Sequence, residues 1–264
     1  MYARRWIIAG LALCLQAPLI GTASSAPPGP TPTLERPFVV VLDPGHGGDN
    51  TGCLGFDGKV REKDVNLALA LELSAELRRR LPSVRVVLTR DRDRTLPLAD
   101  CVAIANAEHA ELFISLHLNA SPGRVQQGFE TYVLDARASG LEAARVARRE
   151  NDEALLEPGS SDEHSEVATM LRQLSMTRDR AVAARLAAAI QREQRERFPD
   201  RIDRGVKQAP FDVLQGARMP AILFEAGFLD HPREGALLLD ADERARIVEG
   251  VADAVTEHYR LMGR

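Results

Sequence analysis

The sequence predicts an α/β fold, a largely parallel sheet covered by helices on both faces. Three observations carry that expectation. Short apolar runs alternate with stretches of helical periodicity from residue 38 onward. The run at 112–118 is apolar enough to read as a buried strand. A hydrophobic fraction of 45% over 264 residues supplies a substantial core, in one large domain or two small ones.

The first run, 38–42, breaks at Pro44-Gly45 and delivers His46 onto two further glycines, so the imidazole stands where the strand runs out and backbone can approach it. From Glu62 the apolar residues Val65, Leu69, Leu73 and Leu77 recur every four positions, which predicts a helix to Leu81, ended by Pro82. Residues 84–88 read as a strand, 98–107 as a short helix, and 112–118 as a strand with Leu112, Ile114 and Leu116 on one face and Phe113, Ser115 and His117 on the other. Another strand is expected at 129–134. Helical patterns follow at 141–150 and 177–197, separated by a polar break, 151–166, rich in acidic residues, Ser and Gly. A last strand, 221–224, ends at Glu225, and Asp240 or Asp242 caps a closing helix that reaches about Met262. No internal repeat is visible.

The N-terminus differs in kind. Arg4 and Arg5 precede an apolar run at 6–20, followed by small residues at 21–26, the three-part pattern of a secretory signal peptide over 1–26. The run is too short for a transmembrane helix. Residues 27–37, PPGPTPTLERP, read as a Pro-rich linker. The chain is thus expected to be exported, with the periplasm or the cell wall as its compartment. Cleavage takes the net charge from −4 to −6, because two of 34 basic residues leave and all 38 acidic ones stay. With 5% aromatic residues and no basic stripe, nucleic acid is excluded as the main partner. Cys53 and Cys101 would then meet an oxidising compartment, where pairing is open to them.

In parallel sheets ligands bind beyond the carboxyl ends of the strands. His46, His117 and Glu225 all fall at such ends, and Glu62 opens the helix after the His46 loop, where the helix N-terminus favours a carboxylate. Each has an ordinary role open to it: a loop histidine, a hydrogen-bonded core histidine, a first-turn carboxylate, an arginine partner. Together, two imidazoles and a carboxylate are a ligand set of catalytic zinc sites, where the fourth position is left to a water whose pKa falls to about 7. A second glutamate can then act as general base and return the proton to a leaving amine. The constellation suits hydrolysis of an amide.

The segments LDPGHGG (42–48), REKDVNLALA (61–70), LTRDRD (88–93), VAIANAEHAELFISLHLNAS (102–121) and ILFEAGFLDHP (222–232) resemble, in order, the zinc-dependent N-acetylmuramoyl-L-alanine amidases of bacterial cell-wall hydrolysis, the amidase-3 type. The resemblance covers the chain from about Phe38 to its end and implies one α/β catalytic domain, 38–264, with a twisted, mostly parallel, mixed sheet. It implies one zinc ion held by His46, Glu62 and His117, with Glu225 as catalytic glutamate. The implied substrate is peptidoglycan, cut at the amide between N-acetylmuramic acid and L-alanine, and the chain is expected to act as a monomer. Cys101 stands where the family more often has arginine, and Asp230-His231 replaces the usual Ser-Asn.

Some proteins of this family carry a helical segment that covers the site until a partner pulls it away. The stretch 151–176 has the room for such an insert, and Glu150, Glu153, Glu163 or Glu166 is the carboxylate expected to take the open position on zinc in a resting state. An activator protein is then the implied partner. A zinc peptidase on cell-wall peptides and a non-catalytic, amidase-like wall-binding protein are the competing readings.

Overall fold

β1 (Phe38–Pro44) is buried along its whole length, as its run of three valines and a leucine requires. It pairs in parallel with β2 (Val84–Leu88) on one side and β3 (Leu112–Asn119) on the other. β3 pairs in parallel with β6 (Ala221–Phe228). β6 then pairs antiparallel with β4 (Phe129–Leu134), which runs parallel to β5 (Asp203–Ala209). The six-stranded order is β2-β1-β3-β6-β4-β5, the mixed, mostly parallel sheet that was expected. The computed structural model describes residues 36–151 and 166–263, and Pro37–Arg264 form one compact unit.

Helices cover both faces. α1 (Glu62–Arg80), α4 (Glu166–Arg197) and α6 (Ala241–Leu261) pack Leu69, Leu73, Leu77, Leu186, Ile190, Val251 and Val255 against Leu42, Ile114, Leu116 and Phe224. On the other face, α2 (Leu98–Ala107) and α3 (Leu141–Asn151) bury Cys101, Ala105, Val146 and Ala147 against Val41, Phe113, Tyr132 and Leu223. The alternation of β3 assigned from sequence is observed: Leu112, Ile114 and Leu116 join the first cluster and Phe113 the second. Asp240 caps α6 by accepting from the amides of Asp242 and Glu243, each at 3.0 Å.

Four expectations need correction. β5 has no counterpart in the sequence reading, because DRGVKQA is a half-buried edge strand with little apolar content. α5 (Pro232–Leu239) was also missed; it is a two-turn helix begun by His231, whose side chain accepts from the Glu234 amide. β6 runs on to Phe228, so Glu225 lies within the strand rather than after it. α4 begins at Glu166 rather than at 177, so the stretch 167–176 is continuous with it. The signal sequence 1–26 and all but the last two residues of the linker lie outside the described residues, and so do Glu153 and Glu163. Among the described residues no helix is long and apolar enough to cross a membrane. Among the described residues, Cys53 and Cys101 form no disulfide.

Candidate metal centre and catalytic site

The loop after β1 is built around one close approach. A Cβ on Gly45 would stand 2.2 Å from Cε1 of His117, so only glycine lets the two strand ends come together. His46 itself takes φ 63°, a left-handed conformation unfavourable for a side-chain residue. The loop is held by Arg90, which is buried and donates from Nε to the Pro44 carbonyl (2.8 Å) and from Nη2 to those of Gly45 and Lys63 (each 2.9 Å). Asp93 accepts from the Gly48 amide (2.7 Å) and pairs with Lys63 (2.6 Å). Arg90 and Asp93 together thus hold the loop at the end of β1.

His46 Nε2 lies 3.0 Å from Glu62 Oε1 and 3.3 Å from Glu150 Oε2. His117 Nδ1 lies 3.4 Å from the same Glu62 oxygen and 2.9 Å from the same Glu150 oxygen. One ligand atom from each of the four residues falls within 4.8 Å of the others. Glu62 is aimed by three donors: Oε2 accepts from the Cys53 amide (2.8 Å), and Oε1 accepts from the Leu118 amide (2.9 Å) and Asn66 Nδ2 (3.3 Å). Burial pushes its carboxyl up, but the His46 and His117 imidazoles outweigh that and hold it well below the ordinary carboxylate range.

His117 Nδ1 and Glu150 Oε2 are buried and close, yet neither makes a hydrogen bond of acceptable geometry. Side chains that converge without bonding one another, with two imidazole nitrogens and two carboxylate oxygens as donors, fit a metal ion and suit zinc in particular. Burial lowers the affinity of His117 for a proton, but the Glu150 carboxylate overrides it and raises the imidazole to about 10.

Glu225 lies opposite His117 in the β3–β6 register and is fully buried. Burial drives its carboxyl well above the usual value; Arg149 and His117 oppose that, while Glu150 and Glu62 reinforce it. Arg149 is the residue that sequence reasoning missed. Its Nη2 lies 2.6 Å from Glu150 Oε1 and 3.3 Å from Glu225 Oε1, and its Nη1 donates to Asn119 Oδ1 (3.0 Å) and the Ala120 carbonyl (3.1 Å). Asn119 is fixed from behind by donating to Glu130 (2.7 Å), which also accepts from Tyr132 (2.7 Å). The only sequence signal for Arg149 was its place beside Glu150.

Of the carboxylates weighed for the open metal position, Glu150, in the last turn of α3, is the one found in the cluster. The side chain of Glu166, like Glu153 and Glu163, lies outside the described residues. Asn151 anchors that end of α3, donating to the Pro210 carbonyl (2.7 Å) and accepting from the Asp212 amide (2.9 Å). Cys53 has its Sγ 3.6 Å from the Leu118 carbonyl, and burial raises its thiol, which makes it a poor thiolate ligand.

The family model for N-acetylmuramoyl-L-alanine amidase matches residues 40–257. The chain belongs to that family. The amidase is 33% identical over 224 residues to the N-acetylmuramoyl-L-alanine amidase AmiA of Escherichia coli K12, a match covering 84% of this chain and 76% of that protein. To AmiC of Escherichia coli O6:H1 it is 28% identical over 234 residues, covering 85% of this chain and 54% of AmiC. Its fold is similar to the catalytic domain of the amidase CwlV from Bacillus (Paenibacillus) polymyxa var. colistinus, with a TM-score of 0.61, 28% identity, and coverage of 84% of this chain and 98% of that one. The protein is accordingly an amidase acting on peptidoglycan.

Proposed function

We propose that the enzyme is a zinc-dependent hydrolase of the amide between the lactyl group of N-acetylmuramic acid and the L-alanine of the stem peptide, held at rest in a closed state. The supporting observation is the convergence of His46, Glu62 and His117 beside a buried Glu225, with Glu150 in the remaining position. His46, Glu62 and His117 would hold the ion. When bound there, zinc supplies Lewis-acid polarisation of the carbonyl and lowers the pKa of a water. Glu225 takes the proton from the attacking water and delivers it to the departing alanine nitrogen. Burial raises its carboxyl, which favours its holding the proton between the two transfers.

The resting state follows from α3. Glu150 supplies a carboxylate oxygen to the metal cluster, and Arg149 engages the Glu225 carboxylate from the next residue. Substrate needs both places, so α3 must withdraw before catalysis, and an activator protein that draws the segment beginning at Glu150 away from the site is the partner this implies. Export of the chain through its N-terminal segment brings the enzyme to the wall, for remodelling or separation of daughter cells.

The test is digestion of purified peptidoglycan by the zinc-loaded protein, by Glu150→Ala, and by Glu150→Ala combined with Glu225→Ala. Mass analysis should find intact stem peptides with a free alanine amine from Glu150→Ala, less from the wild type, and none from the double variant. Peptides cut internally would assign the chain to peptidase chemistry instead.

A further inference from the structure

The row that carries His117 and Glu225 continues across the sheet. His117 of β3 stands opposite Glu225 of β6, and Glu225 stands opposite Glu130 of β4. The β4–β5 register slips between Phe129 and Thr131, so Arg204 and Gly205 (φ 77°) together stand opposite Glu130. Lys207 pairs with Tyr132, two residues further along β4, and strand alternation puts its side chain on the face of Glu130. α3 covers that face, burying Val146 and Ala147 in the cluster that holds Tyr132.

Glu130 is fully buried and faces two cations. Its Oε1 accepts from Asn119 Nδ2 and from the Tyr132 hydroxyl (each 2.7 Å), and its Oε2 accepts from Arg204 Nε (2.8 Å) and pairs with Lys207 Nζ. One carboxylate cannot balance both. The second comes from α3: Glu142 Oε2 lies 2.6 Å from Arg204 Nη2 and 3.8 Å from Lys207 Nζ. Arg204 is fixed for that contact, donating from Nη1 to the Gln127 carbonyl (3.3 Å) and lying 5.1 Å from the centre of the Phe228 ring. The Glu142 side chain is 41% exposed, so this place opens to solvent and already admits a carboxylate.

α3 thus carries two carboxylates, Glu142 against Arg204 and Glu150 in the metal cluster, eight residues apart. That separation is about 12 Å along a helix. An extended peptide, at roughly 3.3–3.6 Å per residue, spans it in about three to four residues. When α3 withdraws, Glu142 leaves with Glu150, and Arg204 and Lys207 keep one positive charge in excess over Glu130. A guanidinium left so, largely out of water, favours a new carboxylate partner.

We propose that Arg204 and Lys207 form a specificity subsite for a carboxylate of the stem peptide, and that Glu142 occupies it at rest. α3 then imitates the substrate at two places: Glu150 stands where the scissile carbonyl enters, and Glu142 where a peptide carboxylate lies, about three to four residues from the cut. This rests on the closed-state reading, because the subsite is vacated only when α3 moves.

Two soluble wall fragments, whose stem peptides carry either free carboxylates or carboxamides at the same positions, are digested by zinc-loaded Glu150→Ala, and kcat and KM are read separately. KM is expected to be roughly ten-fold lower for the free acid, the scale of one hydrogen bond to a charged group, with kcat unchanged as for uniform binding. Adding Arg204→Gln should bring the two KM values together, while Lys207, Asn119 and Tyr132 keep Glu130 matched. Glu142→Gln, which touches neither Glu130 nor the metal cluster, decides the matter should Arg204→Gln fail to fold. In otherwise wild-type protein it should lower KM for the free acid alone, whereas simple loosening of α3 would raise release from both fragments alike and overturn the proposal. Equal KM values in a Glu150→Ala protein that releases more peptide than wild type, or a preference that survives Arg204→Gln, also overturn it and leave the closed state standing. Release from Glu150→Ala no greater than from wild type overturns both readings.

Discussion

Replacing Glu150 by alanine tests the closed state most directly. The side chain reaches three groups: His117 Nδ1 at 2.9 Å, His46 Nε2 at 3.3 Å and, through its other oxygen, Arg149 at 2.6 Å. Its carboxyl is held below the ordinary range, with burial opposed first by Arg149 and then by His117, so it is ionised at neutral pH. A hydrogen bond to a charged group contributes about 1.5–3 kcal/mol net. Counting one such interaction, because water can take over the face toward the metal position once the carboxylate is gone, the closed state loses about 1.5–3 kcal/mol. At about 1.4 kcal/mol for each factor of ten, the open population rises roughly ten- to a hundred-fold. Basal release of stem peptides from purified peptidoglycan, measured with zinc content and circular dichroism matched to wild type, should rise by that factor. Unchanged or lower release from a folded, metal-loaded Glu150→Ala would refute the reasoning, since it would make Glu150 a supporting ligand rather than a block.

Other outcomes follow from the same geometry. Glu225→Gln should retain its zinc and its fold while peptide release falls by roughly 10²- to 10⁴-fold, the range for a lost acid–base group; a mass-based assay in the Glu150→Ala background reads it cleanly. Gly45→Ala drives a Cβ to 2.2 Å from His117, which should cost about 1–3 kcal/mol of stability and most of the bound zinc, read as Tm and metal content. In the metal-free protein His117 titrates at about 10, above its unfolded value, with burial opposing and Glu150 raising it. Its contribution is therefore fully present below about pH 6.5 and lost as pH rises toward 10, so the Tm of the metal-free form should decline through that window. Zinc must also displace that proton, and binding at pH 7 should release about one proton per ion taken up, measurable by calorimetry in buffers of different ionisation enthalpy.

The sheet and the convergence of His46, Glu62 and His117 were legible because they depend on patterns that sequence carries directly. A run such as VVVL specifies a buried strand, and the Pro-Gly break fixes where it ends, which puts His46 just beyond the end of β1. β5 was illegible because an edge strand satisfies half its backbone through one neighbour and needs little apolar content; DRGVKQA is positioned by pairing with β4, which no local pattern announces. Glu225 was expected just past a strand end, since the polar residue looked like a terminus, while in fact it lies within β6 and pairs across to Glu130. Arg149 escaped for a related reason. Its importance lies in four partners drawn from β3, β6, α3 and the turn after β3, a set that exists only once the chain is folded.

The same contacts constrain how the site can open. Glu150 and Arg149 are adjacent on one helical turn, yet Glu150 enters the metal cluster and Arg149 engages Glu225. Their charges are mutually compensated: the arginine is raised by Glu150 and Glu225 against the effect of burial, and Glu150 is held ionised by the arginine. Withdrawing one without the other would strand a buried charge, which is far more costly than moving both. In the proposed closed state, the metal position and the Glu225 carboxylate would therefore be uncovered together, by one movement of the C-terminal end of α3. Part of the resistance to that movement lies where Asn151 is tied to Pro210 and Asp212, apart from the metal cluster and Glu225. Asn151→Ala should accordingly raise basal activity less than Glu150→Ala does, and the two together should exceed either alone, because the anchor and the plug resist the same displacement through separate contacts.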